Sequence, residues 1–144
     1  MMERFSMLVA VHLFLIKEDK ILLSRRFNTG YGDGCYSVVA GHVEGNETVI
    51  KAMQREAKEE VNITIEDNQL KIVQVMHRKC VGHERIDYFF LCNKWNGNII
   101  NNEPSKCDDL SWFSIHELPV NIVDYVNYAI NNYLNNVSFS LFGW

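Results

Sequence analysis

The stretch Glu47 to Val61 (ETVIKAMQREAKEEV) constrains the fold more than any other part of the chain. It contains no glycine or proline, and Asn46 stands before it as an N-cap, so it reads as a helix. At about 100° per residue, Val49, Ala52, Met53 and Ala57 form one apolar stripe. Glu56 falls about 20° to one side of Val49 and Glu60 about 20° to the other, inside that stripe. Glu59 flanks them. These glutamates crowd the last turns, where the helix dipole disfavours negative charge and the Glu56/Glu60 pair repels at i,i+4. Carboxylates facing a core are costly without a positive partner, and no spare lysine falls on that face. A hard divalent cation held by oxygens resolves the conflict, with Mg²⁺ the first candidate. A segment that breaks several local rules at once has the character of a functional site. The plain alternative is a solvated charge run paired by Arg55 and Lys58. The inward aim of Glu56 and Glu60 counts against it.

Strands are expected at Leu8 to Lys17 and Ile21 to Arg25, joined by a tight turn at Glu18 and Asp19. A glycine-rich loop, Asn28 to Gly34, leads to a short strand, Cys35 to Ala40. Further strands are expected at Gln69 to His77, Arg85 to Trp95 and Asp109 to Phe113. A second helix is expected from Leu118 to Asn135, with Ile122, Val126, Ala129, Ile130 and Leu134 at helical spacing. Strands before and after a strong helix predict an α/β (α+β) fold, a mixed sheet covered by helices.

The 144 residues suit a single domain spanning 1–144. The apolar run Met7 to Ile16 is too short to cross a bilayer and carries His12, so it reads as a buried strand. With 14 Lys and Arg against 18 Asp and Glu, net charge −4, no general attraction to nucleic-acid polymers or anionic membranes is expected. A polyanionic ligand would need a cation as mediator. The four cysteines are scattered without a CxxC pair, which fits free thiols in the cytoplasm. The last eight residues, 137–144, alternate apolar and polar and carry Phe142 and Trp144. Such a tail must be covered, either folded back as an extra strand or paired with a second copy in a homodimer. The sequence favours pairing, because the core looks complete without it.

From Gly41 the chain runs GHVEGNETVIKAMQREAKEEVNI. This resembles the Nudix box, Gly-x5-Glu-x7-Arg-Glu-U-x-Glu-Glu-x-Gly-U, where U is aliphatic. Gly41, Glu47, Arg55, Glu56, Ala57, Glu59, Glu60 and Ile63 fall in register. Asn62 stands where the family has glycine, and Asn is the next best residue for a left-handed position. The likeness extends outward, through the glycine-rich loop ahead of the box and the segment Gly97 to Pro104, the WF pair and the ELP helix start behind it.

The resemblance implies a Nudix-type α/β/α sandwich that hydrolyses a pyrophosphate linkage in a nucleoside triphosphate or other nucleoside diphosphate derivative, using Mg²⁺ or Mn²⁺. It implies Glu56, Glu59, Glu60 and the Gly41 carbonyl as metal ligands, and Glu59 or Glu103 as general base. Arg55 and Glu47 would pair to hold the ligand helix, with Glu44 contributing through water. Arg26, Tyr31, Asp124 and Tyr125 are the candidate substrate contacts. Two other readings stand beside this one: a hydrolase for a nucleotide sugar or ADP-ribose, and a non-catalytic nucleotide sensor. Retention of all three box carboxylates weighs against the sensor. A small-molecule nucleotide is the expected partner.

Overall fold

The structure is a computed structural model, and residues 3–144 are described. Strand β1 (Leu8–Lys17) turns into β2 (Lys20–Arg26) through Glu18 and Asp19. Both turn residues have positive φ, 53° and 60°, the geometry that matches hairpin twist. After the glycine-rich loop come β3 (Tyr36–Ser37) and β4 (Val39–His42). The sequence suggests one strand here. The chain instead splits it, pairing β3 with β2 and β4 with β1. Helix α1 (Val49–Val61) is followed by a short 3₁₀ turn at Asp67–Gln69, then β5 (Lys71–Cys80), β6 (His83–Cys92) and β7 (Cys107–Ser114). Helix α2 (Asp124–Leu134) and β8 (Phe139–Phe142) complete the order.

The sheet is mixed. β1 runs parallel to β6 from Leu8/Arg85 to Leu15/Cys92, and antiparallel to β4 at one part of its length and β2 at the other. β5 lies antiparallel to β6, β8 parallel to β5, and β7 antiparallel to β2. Six successive residues of β1, Ala10 to Leu15, are buried, because both faces are covered. Val11, Leu13 and Leu15 pack with Ala52, Met53, Ala57 and Val61 of α1. Phe14 packs with Val126, Ala129 and Ile130 of α2 on the other side. This is the α/β/α sandwich expected from the sequence.

Helix α1 starts two residues later than expected. Thr48, not Asn46, is its N-cap, accepting from Lys51 N at 3.1 Å. Asn46 lies in the preceding turn at φ 66°. Glu47 stays outside the helix because its carboxylate binds Glu44 N and Arg55. Helix α2 likewise begins at Asp124 rather than Leu118. Pro119 lies in the lead-in, and Tyr36 captures the backbone there: Tyr36 N donates to Asn121 O, and Val123 N to Tyr36 O.

Asn62 ends α1 in the left-handed conformation, φ 63° and ψ 33°. Asn62→Gly should therefore be neutral or mildly stabilising, whereas Asn62→Val should cost about 1 kcal/mol or more in equilibrium unfolding, since a β-branched residue is disfavoured there.

The tail is where the structure departs most from the sequence reading. It folds back as an extra strand: β8 lies beside β5, with Val75 opposite Phe139 and Arg78 opposite Phe142. The reason is polar as well as apolar. Ser140 Oγ donates to the buried Gln74 Oε1 at 2.8 Å, and Trp144 Nε1 to His77 O at 3.1 Å. The β5 edge and the buried Gln74 both need β8. Among the described residues no helix is long and apolar enough to cross a membrane.

Candidate active site

One cleft of about 620 Å³ gathers most of the residues singled out in the sequence. Gly41, Arg55, Glu56, Glu59, Glu60 and Glu103 line it, and so do Arg26, Tyr31 and Tyr125. Glu47 is not part of the lining; its carboxylate accepts from Arg55, which is. Asp124 is not part of the lining; its Oδ1 accepts from Tyr125 N at the start of α2.

The chain builds the carboxylate end in steps. Glu47 takes Arg55 in a fork, Nη2 at 2.8 Å and Nε at 3.1 Å. Arg55 Nη2 also donates to His42 O at 3.1 Å, which ties the helix to β4. The fork with Glu47 outweighs the cost of burying the guanidinium and raises the Arg55 pKa further above its ordinary value. Arg55 Nη1 reaches Glu56 Oε1 at 2.8 Å and Glu59 Oε2 at 3.4 Å. Glu59 remains about half exposed.

Glu56 lies directly over Gly41. A Cβ at residue 41 would overlap the Glu56 carboxylate. Glu60 lies beside Glu56, and its Oε2 is sealed from solvent with no hydrogen-bond partner. Burial pushes the Glu60 carboxyl well above its usual range, with the hydrogen bond and charge of Glu56 and the charge of Glu103 adding to it. The Ala40 N–H offsets this only in part.

The segment Asn96 to Glu103 explains how carboxylates are tolerated at a helix C-terminus. Ile100 N donates to Val61 O at 3.2 Å and Asn102 N to Glu60 O at 3.0 Å. Asn102 Nδ2 takes Glu59 O at 3.1 Å. These donors occupy carbonyls the helix leaves free, and they carry Glu103 to the cleft.

Among the described residues no group of three or more His, Cys, Asp or Glu side chains already stands at metal-holding geometry. Arg55 supplies the positive charge at Glu56 and Glu59. It leaves Glu60 Oε2 unserved. An orphaned, sealed carboxylate oxygen next to a second carboxylate, over a glycine whose missing side chain makes the room, fits a small oxygen-seeking cation.

Several cleft residues were not singled out in the sequence. His12, His42, Arg85, Asn101 and Lys106 all line it. Arg85 Nη2 approaches His42 Nε2 at 2.5 Å. His12 carried a signal, a lone imidazole in an apolar strand. Arg85 and Lys106 carried none, since their positions depend on which strands pair.

A NUDIX domain family model matches residues 7–130. The chain belongs to the Nudix family. This Nudix chain is similar to the NAD-capped RNA hydrolase NudC of Pseudomonas putida, with 32% identity over 116 residues, which cover 79% of the chain and 37% of that protein. It is similar also to the NAD-capped RNA hydrolase NudC of Pseudomonas entomophila, with 29% identity over 109 residues, 74% of the chain and 36% of that protein. The chain thus spans little more than a third of the length of these curated relatives. Its fold matches a MutT NUDIX hydrolase from Burkholderia pseudomallei with a TM-score of 0.81 at 23% identity, covering 88% of this chain and 98% of that one. The MutT protein of Methanosarcina mazei Go1 matches with a TM-score of 0.77 at 18% identity, covering 89% and 93%.

Proposed function

We propose that this chain is a Mg²⁺-dependent hydrolase that cleaves a pyrophosphate linkage in a nucleoside triphosphate or other nucleoside diphosphate derivative. The observation that carries the reading is Glu60 Oε2, sealed and unpartnered beside Glu56, inside a cleft of about 620 Å³. Mn²⁺ is the alternative ion.

When bound, the cation would neutralise the pyrophosphate, polarise its P–O bonds and lower the pKa of the attacking water. Glu56 and Glu60 would hold it, with Glu59 and the Gly41 carbonyl as further oxygens. Arg55, locked by Glu47, fixes the position of Glu56. Glu59 and Glu103 are the carboxylates proposed to take the proton from water. Arg26 is held in the cleft by Tyr31 O at 2.5 Å and Thr29 Oγ1 at 3.1 Å, and is proposed with Tyr31 and Tyr125 as a substrate contact. Asp124 is proposed to act by setting the first turn of α2 that carries Tyr125. Four free thiols support a reducing, cytoplasmic setting.

A second reading is favoured by the similarity to NAD-capped RNA hydrolases. The linkage cut would then join two nucleotides, as in a dinucleotide. One panel separates the two: nucleoside triphosphates, NAD, ADP-ribose and a nucleotide sugar, each with Mg²⁺, followed by product identification. Turnover of triphosphates supports the first reading, and turnover of NAD with triphosphates untouched replaces it with the second. Binding without turnover of any member would leave a nucleotide sensor and overturn both.

A further inference from the structure

The part of the cleft formed by β1, β6 and α2 rests on a polar set that pyrophosphate cleavage does not use. Asp87 is fully buried. It accepts from Arg78 Nε at 2.7 Å and Nη2 at 3.3 Å, and its Oδ1 lies 2.9 Å from His12 Nε2. Burial alone would raise the Asp87 pKa, but the two-pronged Arg78 guanidinium and the hydrogen bond from His12 outweigh it and hold the carboxyl below its ordinary range. Asp87 is therefore ionised and can only accept. The hydrogen between the two side chains belongs to His12 Nε2, which in the neutral ring leaves Nδ1 as a bare acceptor.

That acceptor is buried without a partner. The ring has little freedom to find one. It stacks on Phe89 at 4.6 Å and 17°, and meets the edge of Tyr125 at 5.6 Å and 73°. Tyr125 is itself held by the Arg78 guanidinium, 3.5 Å from its ring centre. A buried acceptor left unmatched is costly. Here the cost falls on a residue that lines the cleft, beside Tyr125. With the hydrogen on Nε2, the neutral ring presents an unmatched acceptor at a place that packing fixes.

We infer that His12 is a specificity-determining residue, its Nδ1 accepting from an N–H donor on the ligand, so that the cleft selects a base bearing an exocyclic amino group. The ligand class rests on the nucleotide-hydrolase reading; the polarity of the contact rests on His12 and Asp87 alone.

The test is equilibrium binding, by calorimetry on the full chain with Ca²⁺ in place of Mg²⁺. ATP is compared with purine riboside 5′-triphosphate, and CTP with pyrimidin-2-one riboside 5′-triphosphate. In each pair only the amino group is lost. At least one amino-bearing member should bind roughly tenfold or more tightly than its partner. His12→Phe should flatten that ratio by weakening the amino-bearing ligand alone. In the unsubstituted protein, ¹⁵N NMR of histidine should show His12 protonated at Nε2, with the Nδ1 resonance moving only when an amino-bearing ligand binds; this readout is independent of how the variant folds. Equal binding within both pairs, binding of none of the four, or an Nδ1 that carries the hydrogen overturns the inference. Discrimination in binding, with no nucleotide hydrolysed when Mg²⁺ is supplied, would sink the proposed activity and leave this inference standing. Hydrolysis with no discrimination would do the reverse.

Discussion

Glu60→Gln should leave a folded protein whose turnover falls at least roughly a hundredfold, because the residue lost is a ligand of the ion that activates water. The two side chains have nearly the same shape, so packing along α1 is kept. An amide cannot supply the anionic oxygen that Glu60 Oε2 offers, sealed as it is with no other partner. The same change removes a carboxyl that burial, and then the neighbouring Glu56 and Glu103, make costly to ionise in the fold. The variant should thus be slower and, without metal, more heat-stable. Steady-state kinetics at saturating Mg²⁺ together with a thermal melt read both effects. Near-normal turnover would remove Glu60 from the site.

Gly41→Ala should also spare the fold and damage catalysis. The added methyl would overlap the Glu56 carboxylate, the far end of a flexible side chain that can swing aside. Backbone packing need not change, but Glu56 would leave its place beside Glu60. A displacement of this size at a reacting centre costs roughly tenfold to a hundredfold. Turnover should fall by that factor while the melting temperature moves little. An Ala variant that kept full activity would mean that Glu56 works from another position.

The carboxylate end of the cleft was legible because its conflict is local. Glu56 and Glu60 share a face with Ala52, Met53 and Ala57, and helical geometry alone places them together. Asn62 was legible for the same reason, as a left-handed helix end. The other end of the cleft depends on pairing. His12, Asp87 and Arg78 belong to three strands, and they meet because β1 runs parallel to β6 and β6 antiparallel to β5. No spacing in the sequence encodes that register. Glu103 was visible as a residue before proline, but its route to the site was not, since Asn102 reaches back to Glu59 and Glu60 through hydrogen bonds. The place of the tail is hidden from the sequence for a related cause. Its apolar alternation is equally suited to β5 and to a second copy. The decision lies with the buried Gln74, which accepts from Ser140.

The central claim is that a cation supplies the charge balance missing at Glu60, beside the Arg55-paired Glu56. The most direct measurement is the melting temperature as a function of pH, with and without Mg²⁺. The Glu60 carboxyl is raised in the folded state. Its contribution is therefore fully present below the ordinary carboxylate range, and is lost as pH rises through the raised value, where the folded protein must give up the proton. The metal-free protein should lose stability across that window. Millimolar Mg²⁺ should restore it, so the gain from metal should grow with pH, and Glu60→Gln should show neither the loss nor the pH-dependent gain. An active protein whose melting temperature is indifferent to Mg²⁺ and Mn²⁺ at every pH would contradict the account.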